Sequence, residues 1–337
     1  MESSNERIKE IDILKGIGIV LMILDHCFGW GKDVFIHSVI QSFHMPLFFI
    51  VSGYLWKKPE MKNYIFHKTR TILIPHLNFA IIYSMVFIGL FALGKYTGGG
   101  TAKSIVALFA FSTRFDLTMF ASPIWFLQAL FLTNVVFTFL NERFEKCYAY
   151  IIIAMAVIGI IYSETCEFML PFALEPFSTG ILFFYIGHRL RNRDWIRVKK
   201  IWLLIPLIFI WLLMVYSNGC VDMRSARYYN PVLYIANAML GTIIVWNISC
   251  LIRSWRISDV LRHFSVYSIT YLCVHYFFVY YGMRGLECIL SLSRTMRGII
   301  LFLGVSAVCW ILNKLIMKYI PWLVGKKPLI MTQRLNY

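Results

Sequence analysis

Three of the ionisable side chains in stretches otherwise apolar enough for the interior of a lipid bilayer, Lys15, His26 and His44, are candidates for chemistry. In the run from Glu10 through Asp12, Lys15, Asp25 and His26, Lys15 and His26 are eleven positions apart. At about 100° per residue this returns both to one helix face, separated by a rise of roughly 16 Å. Asp12 shares that face at i−3 from Lys15. Ionisable residues are costly in a membrane and turn towards a bundle interior or a wet cavity. A second apolar stretch, Phe43-His44-Met45-Pro46 through Ser52-Gly53-Tyr54, places His44 and Ser52 two turns apart on one face. With the two stretches folded as an antiparallel hairpin turning near Phe35, His26 and His44 lie nine residues either side of the turn. They are expected at matched depth, facing a common cavity. An imidazole is the usual agent for removing a proton from a hydroxyl as it attacks a carbonyl, so this pair is the candidate catalytic group.

The next segment carries Lys57, Lys58, Lys62, His67, Lys68 and Arg70 ahead of Pro75-His76. Most of these read as membrane-surface anchors. Arg70, at the entrance of a helix, has the planar fork that holds a phosphate through two hydrogen bonds. Other polar residues have plainer readings. Asp25 is turned about 100° from His26 on the same helix and is expected to serve as a boundary or interhelical partner. Ser52 doubles as a small packing residue, Trp125 as a bundle aromatic, and His275 as a core residue with one hydrogen bond. Gln128, Asn134, Asn237 and Asn247 either line a cavity or link helices.

The elements that position these groups follow from composition. The 337 residues are 59% hydrophobic and 15% charged, with a mean hydropathy of +0.68, a balance that a soluble domain does not sustain. Spans of about 20 apolar residues cross a hydrocarbon core of about 30 Å. By that ruler the chain is an all-α, polytopic transmembrane bundle of about ten spans, near 12–30, 36–56, 70–94, 119–140, 147–163, 170–188, 200–217, 230–252, 262–282 and 297–321. The piece 104–112 is too short to cross. One membrane domain fills 1–337, and no signal-peptide cleavage site follows the first apolar run, which Arg7 and Lys9 precede.

The formal charge of +16 reads as membrane topology. Basic residues stand in short clusters between apolar runs, with no groove-reading motif, so nucleic acid is not an expected partner. Of 33 Lys and Arg, nine fall on outer segments with the N-terminus inside: Lys32, Lys95, Lys103, Arg114, Arg224, Arg227, Arg284, Arg294 and Arg297. Lys15, Lys314 and Lys318 lie within spans, and the remaining 21 are on inner segments. Both termini are therefore expected to be cytoplasmic, in a cell membrane. The run Arg189, Arg191, Arg193, Arg197, Lys199 and Lys200 reads as an inner anchor. Eight cysteines lack metal-site spacing, and no metal is expected. Gly98, Gly99 and Gly100 fall in an expected outer loop, away from any phosphate-cradle context.

Lys15 and His26, with ten residues between them, form a basic-x10-His motif in the first span; Phe43-His44-Met45-Pro46-Leu47-Phe48-Phe49 with Ser52-Gly53-Tyr54 forms another. Together with Arg70 leading to Ile74-Pro75, Pro123-Ile124-Trp125-Phe126-Leu127 and Pro321-Trp322-Leu323-Val324-Gly325-Lys326-Lys327, these motifs resemble the integral membrane acyltransferase family 3, which includes glycan O-acetyltransferases. The resemblance implies acyl-CoA, most simply acetyl-CoA, as donor. It implies His26 as the leading catalytic residue, with His44 as its candidate companion, and donor contacts from Lys15 and Arg70, with Ser52 and Trp125 as further candidates. Lys15 stands where many members have arginine, and His76 where an aromatic is common. The acceptor implied is a hydroxyl of an envelope glycan or lipid-linked sugar. Some relatives carry an extra esterase-type domain; this chain has no room for one and lacks its Gly-Asp-Ser motif. Its membrane domain is expected to transfer the group itself or hand it to a separate extracytoplasmic partner. The rival expectation is a glycan transporter or flippase, which would leave the thioester intact. No paired, Gly/Pro-broken repeat of transporter type is present.

Overall fold

The computed structural model describes residues 9–29, 34–191, 198, 201–289 and 292–326. Arg7, Lys32, Arg193, Arg197, Lys199, Lys200, Lys327 and Arg334, the end of the first expected span at Trp30, and both termini lie outside the described residues. Within them the chain is helical and has no strand. The helices are α1 (Lys9–Phe28), α2 (Phe35–Gln41), α3 (His44–Leu55), α4 (Met61–Lys68), α5 (Ile74–Ala92), α6 (Gly98–Ala110), α7 (Phe115–Thr118) and α8 (Trp125–Arg143). They are followed by α9 (Tyr148–Thr165), α10 (Leu174–Leu190), α11 (Leu204–Asn218), α12 (Pro231–Leu251), α13 (Ile257–Val266), α14 (Ser268–Ile289) and α15 (Arg294–Tyr319).

Among the described residues, seven helical stretches are long and apolar enough to cross a membrane: Phe35–Leu55, Met61–Ala92, Phe115–Arg143, Tyr148–Thr165, Ile201–Asn218, Pro231–Ser254 and Arg294–Tyr319. The other three expected spans correspond to α1, α10 and α14, which fall outside this set. α1 carries Lys9, Glu10, Asp12, Lys15 and Asp25, and α10 is 17 residues long. These less apolar helices lie inside the bundle. α1 packs against α3, α12, α13, α14 and α15, and α10 lies along α3. Helices α9, α11 and α15 instead turn large apolar side chains such as Ile158, Phe209 and Leu303 outward, as a lipid-facing ring must. The central position of α1, α10 and α14 spares their polar groups a lipid-facing one.

Close backbone approach holds the centre together. A Cβ at Gly53 on α3 would lie 1.9 Å from the Phe184 carbonyl oxygen on α10, and one at Gly187 on α10 would lie 1.9 Å from the Ile50 carbonyl oxygen on α3. The two helices therefore touch backbone to backbone through a reciprocal glycine pair, the close packing that small residues permit in membranes. Gly16, beside Lys15, meets the Leu261 carbonyl of α13 in the same way. The start of α1 is further pinned by an Arg253–Glu10 ion pair of 2.7 Å and by Ser265 Oγ, which donates to Asp12 at 3.2 Å.

Three local features differ from the sequence expectation. The second span is not one uninterrupted helix: it breaks at Ser42-Phe43, where Phe43 leaves helical geometry (φ −142°, ψ −23°). The third span begins earlier, because α4 and α5 run on through a π-helical turn, Thr69–Leu73. Pro75 lacks the N–H that an α-helix would direct at residue 71, and a wider turn in front of it accommodates the loss. The expected loop at Gly98-Gly99-Gly100 is the first turn of α6, nucleated by Thr97, whose hydroxyl accepts the Gly100 N–H.

The glycine pair gives a sharp test. Gly187→Ala should lower thermal stability of the detergent-solubilised protein by about 1–3 kcal/mol or more, the cost of overpacking against backbone that cannot retreat. Gly89→Ala, where nothing lies within 4 Å of the new methyl, should be neutral or mildly stabilising. Equal melting of the two variants would contradict the backbone contact.

Candidate active site

Two cavities lie end to end inside the bundle. The larger, about 840 Å³, opens beside the first half of α1 and is lined by Asp12, Lys15, Ser52, Lys57, Tyr64, Lys68 and Thr71, among apolar residues. The smaller, about 320 Å³, is lined by His26, His37, Gln41, His44, Trp125, Asp222, Arg224, Arg227, Tyr229 and Tyr276, among others. Both volumes fall within the range of about 300–1,000 Å³ usual for ligand sites.

The partition between them is one helical turn thick. α1 gives Ile19 to the larger cavity and Met22 to the smaller, α3 gives Phe48 and Met45, and α8 gives Phe126 and Trp125. Leu272 of α14 borders both. Three residues of α-helix rise about 4.5 Å, so only a thin apolar collar separates the cationic chamber from the histidines.

The expected stripe on α1 is present. Asp12, Lys15 and Ile19 face the larger cavity, and Met22 and His26 continue along the same face into the smaller. α3 does likewise, with His44 and Met45 at the smaller cavity and Phe48, Val51 and Ser52 at the larger. His26 and His44 thus share a chamber, with Lys15 and Ser52 in the adjoining one. Trp125 belongs with the histidines and not with Lys15. Arg70, in the π-turn, lines neither cavity, and its neighbours Lys68 and Thr71 line the larger one. The Arg70 backbone is instead engaged with the turn that follows α15, where its carbonyl packs against Gly325 (φ +72°).

Within the smaller cavity His26, His37, Gln41, His44 and Arg224 are each held by a specific partner. His44 Nδ1 lies 2.9 Å from the Ile40 carbonyl and donates to it, one turn back across the helix break. Asp25 is oriented by His37 Nδ1 at 2.6 Å and by Gln41 Nε2, which donates at 2.8 Å, so the expected interhelical partner is supplied by α2. His26 Nδ1 is 2.8 Å from His275 Nε2, and the two rings lie nearly parallel, with an interplanar angle of 8° and centroids 5.1 Å apart, the arrangement of an in-plane N–H···N bond. The edge of Tyr276 closes on His26 at 4.8 Å. His275 is fully buried, with its Nδ1 2.6 Å from the Tyr271 carbonyl and 3.2 Å from that of Leu272. It is a core residue, as its sequence position suggested, but it makes more than one hydrogen bond.

The far wall comes from residues 219–230, between α11 and α12. Asp222 and Arg227 pair backbone to backbone, and the segment tucks Val221, Met223, Ala226 and Tyr228 into the core. Arg224 reaches in, donating to Ser122 Oγ at 3.1 Å and Asp222 Oδ2 at 3.3 Å, with its guanidinium over the Phe115 ring at 5.0 Å. Burial pushes the Asp222 carboxyl up, but the Arg224 charge and hydrogen bonds from Ser225 and two backbone N–H groups outweigh it and hold the group below the usual carboxylate range. Asp222 therefore remains ionised and fixes Arg224.

Sequence reasoning passed over His37, Gln41, Asp222, Arg224 and the contact made by His275. For His275 a signal existed, since an ionisable residue in an apolar span is a functional candidate by default. The loop residues carried none. Among the described residues no cluster of His, Cys, Asp and Glu has the arrangement of a metal site. The site offers a chamber with three ammonium groups, a thin apolar passage, and a second chamber with three imidazoles, two arginines and aromatic rings. That combination suits transfer of a group carried on a polyanionic donor to an acceptor held beside a base.

The family model described as an acyltransferase domain, family 3, matches residues 8–314. No curated protein and no solved structure matches the chain. The family match takes in both histidine motifs and every helix that lines the two cavities, and the chain belongs to acyltransferase family 3, as a multi-pass membrane acyltransferase.

Proposed function

We propose that this membrane acyltransferase moves an acetyl group from acetyl-CoA to a hydroxyl of a cell-envelope carbohydrate. The single observation that carries the proposal is the pair of adjoining cavities, one cationic and one histidine-lined, separated by the collar at Leu272. In this account the bundle crosses a cell membrane about ten times with both termini in the cytoplasm, so the Lys15 chamber opens to the cytosol. The donor's phosphates sit near Lys15, Lys57 and Lys68, where charge-assisted hydrogen bonds hold them, and its flexible arm passes Ile19, Phe48 and Leu272. Ser52 lines the arm's path. Arg70 is set back from this chamber and contributes less.

The thioester carbonyl then lies beside His26. The acceptor hydroxyl enters the smaller chamber, where Tyr229, Tyr276 and Trp125 offer the flat apolar faces that sugars stack on, and Gln41, Asp222 and Arg227 offer hydrogen bonds. His26 Nε2 takes the hydroxyl proton as the oxygen attacks the carbonyl carbon. The C–S bond breaks, the CoA thiolate leaves, and the imidazolium returns its proton to the sulfur. His44 Nε2 faces the same chamber, with its Nδ1 committed to Ile40, and holds the acceptor hydroxyl or its water. Excluding bulk water behind the collar keeps the thioester from hydrolysis.

His26→Ala should cut acetyl transfer by about 10²–10⁴-fold, the contribution of a positioned general base, in protein that still elutes as a monodisperse species. Retained transfer would defeat the assignment. Lys68→Met should raise KM for acetyl-CoA about tenfold, near 1.4 kcal/mol, with kcat nearly unchanged, whereas Arg70→Met should move it less. A larger effect at Arg70 would relocate the donor. Leu272→Trp should block the passage, abolishing transfer while acetyl-CoA still binds by calorimetry; undiminished transfer would show that the passage lies elsewhere. Mass spectrometry of envelope polysaccharide with and without the protein should reveal a difference of one acetyl group per modified sugar, and unchanged polysaccharide would refute the acceptor class.

A further inference from the structure

The hydrogen bonds around His26 fix where its proton sits. Carbonyl oxygens only accept, so the nitrogen of His275 facing the Tyr271 and Leu272 carbonyls, Nδ1, carries a proton. In the neutral ring its Nε2 is then a bare acceptor. The 2.8 Å contact from His26 Nδ1 to that atom requires a donor, and His26 must supply it. His26 is therefore the Nδ1–H tautomer, and its Nε2 keeps the lone pair. Among the described residues that nitrogen has no protein hydrogen-bond partner, and His26 lines the smaller cavity.

We propose that His275 is a positioning residue that locks His26 in the Nδ1–H form, so that Nε2 is the base presented to the acceptor hydroxyl. The chain is directional: the Tyr271 carbonyl orients His275, and His275 orients His26. It performs for a histidine base what a buried carboxylate performs in a hydrolase triad, without placing a negative charge in the bundle. When His26 Nε2 takes a proton from the acceptor, the Nδ1 proton can move along the 2.8 Å bond to His275 Nε2, and the positive charge is shared by two hydrogen-bonded rings. No proton is lost in this exchange: the one gained at His26 Nε2 balances the one released by the hydroxyl, and the same path in reverse delivers it to the thiolate. This inference rests on the proposed role of His26 as base, but its first readout does not depend on acetyl transfer.

The test is nitrogen NMR of histidine-labelled protein in lipid, with His26 assigned by its loss in His26→Gln. Wild-type protein should show a protonated δ1 and an unprotonated ε2 nitrogen at His26. His275→Leu should release the ring to the Nε2–H form and lower kcat about a hundredfold or more, the range a correctly presented base commands, with KM for acetyl-CoA unchanged. His275→Gln, whose side-chain carbonyl accepts from His26, should restore the Nδ1–H pattern and keep kcat within about tenfold of wild type. The proposal is overturned if His26 carries its proton on ε2 in the wild type, if His275→Leu leaves the pattern unaltered, or if that variant transfers at the wild-type rate. Wild-type protein with the expected nitrogen pattern but no transfer from acetyl-CoA would instead count against the donor reading and leave the tautomer lock standing.

Discussion

Everything in this bundle follows from the cost of holding ionisable side chains away from bulk water. An unpaired polar group in an apolar interior costs several kcal/mol, and a membrane offers no solvent to relieve it. The chain meets the constraint by placing α1, with its charged residues, inside the bundle and giving several of that helix's buried polar groups a partner from another segment. Glu10 takes Arg253, Asp12 takes Ser265, Asp25 takes His37 and Gln41, and His26 takes His275. The last pair spans 249 residues of sequence and joins the first long helix to α14. Because these partners are fixed, α1 is fixed in rotation, and with it the polar stripe that faces both cavities.

That rotation explains why one helix serves two chambers. Lysine ammonium groups line one end, imidazoles with Arg224 and Arg227 the other, and between them the same face of α1 presents Ile19 and Met22. A donor whose charges stay at the first end and whose reactive carbon extends through the collar fits this polarity. The reverse arrangement would bring phosphates past an apolar ring at a large desolvation cost. The glycine contacts at Gly53 and Gly187 support the geometry from behind, since they bring α3 and α10 close enough for α3 to present His44 and Ser52 inward.

Much of this was legible in the sequence because it depends on helical periodicity. The all-helical architecture was expected, and seven helical stretches are long and apolar enough to cross a membrane; the eleven-residue spacing of Lys15 and His26 placed both on an inward face. Matched distance from a turn placed His26 and His44 in one chamber. What periodicity could not reveal was contact between distant segments. His275 looked like an ordinary core histidine because nothing local shows that its ring meets His26. Arg224 and Asp222 sit in a short polar segment whose inward fold depends on tertiary packing. Arg70 seemed well placed until the π-turn ahead of Pro75 put Lys68 and Thr71 on the cavity wall. Such turns arise from backbone hydrogen bonding, for which residue type is a weak guide.

The most direct measurement of the central claim is a cryo-electron microscopy structure with a non-transferable acetyl-CoA analogue that has a thioether in place of the thioester. The account predicts phosphates against Lys15 and Lys68, the arm passing Leu272, and the acetyl carbonyl carbon within about 3–4 Å of an acceptor position beside His26 Nε2. An analogue held wholly outside the collar, or seated with its acyl end remote from His26, would contradict it.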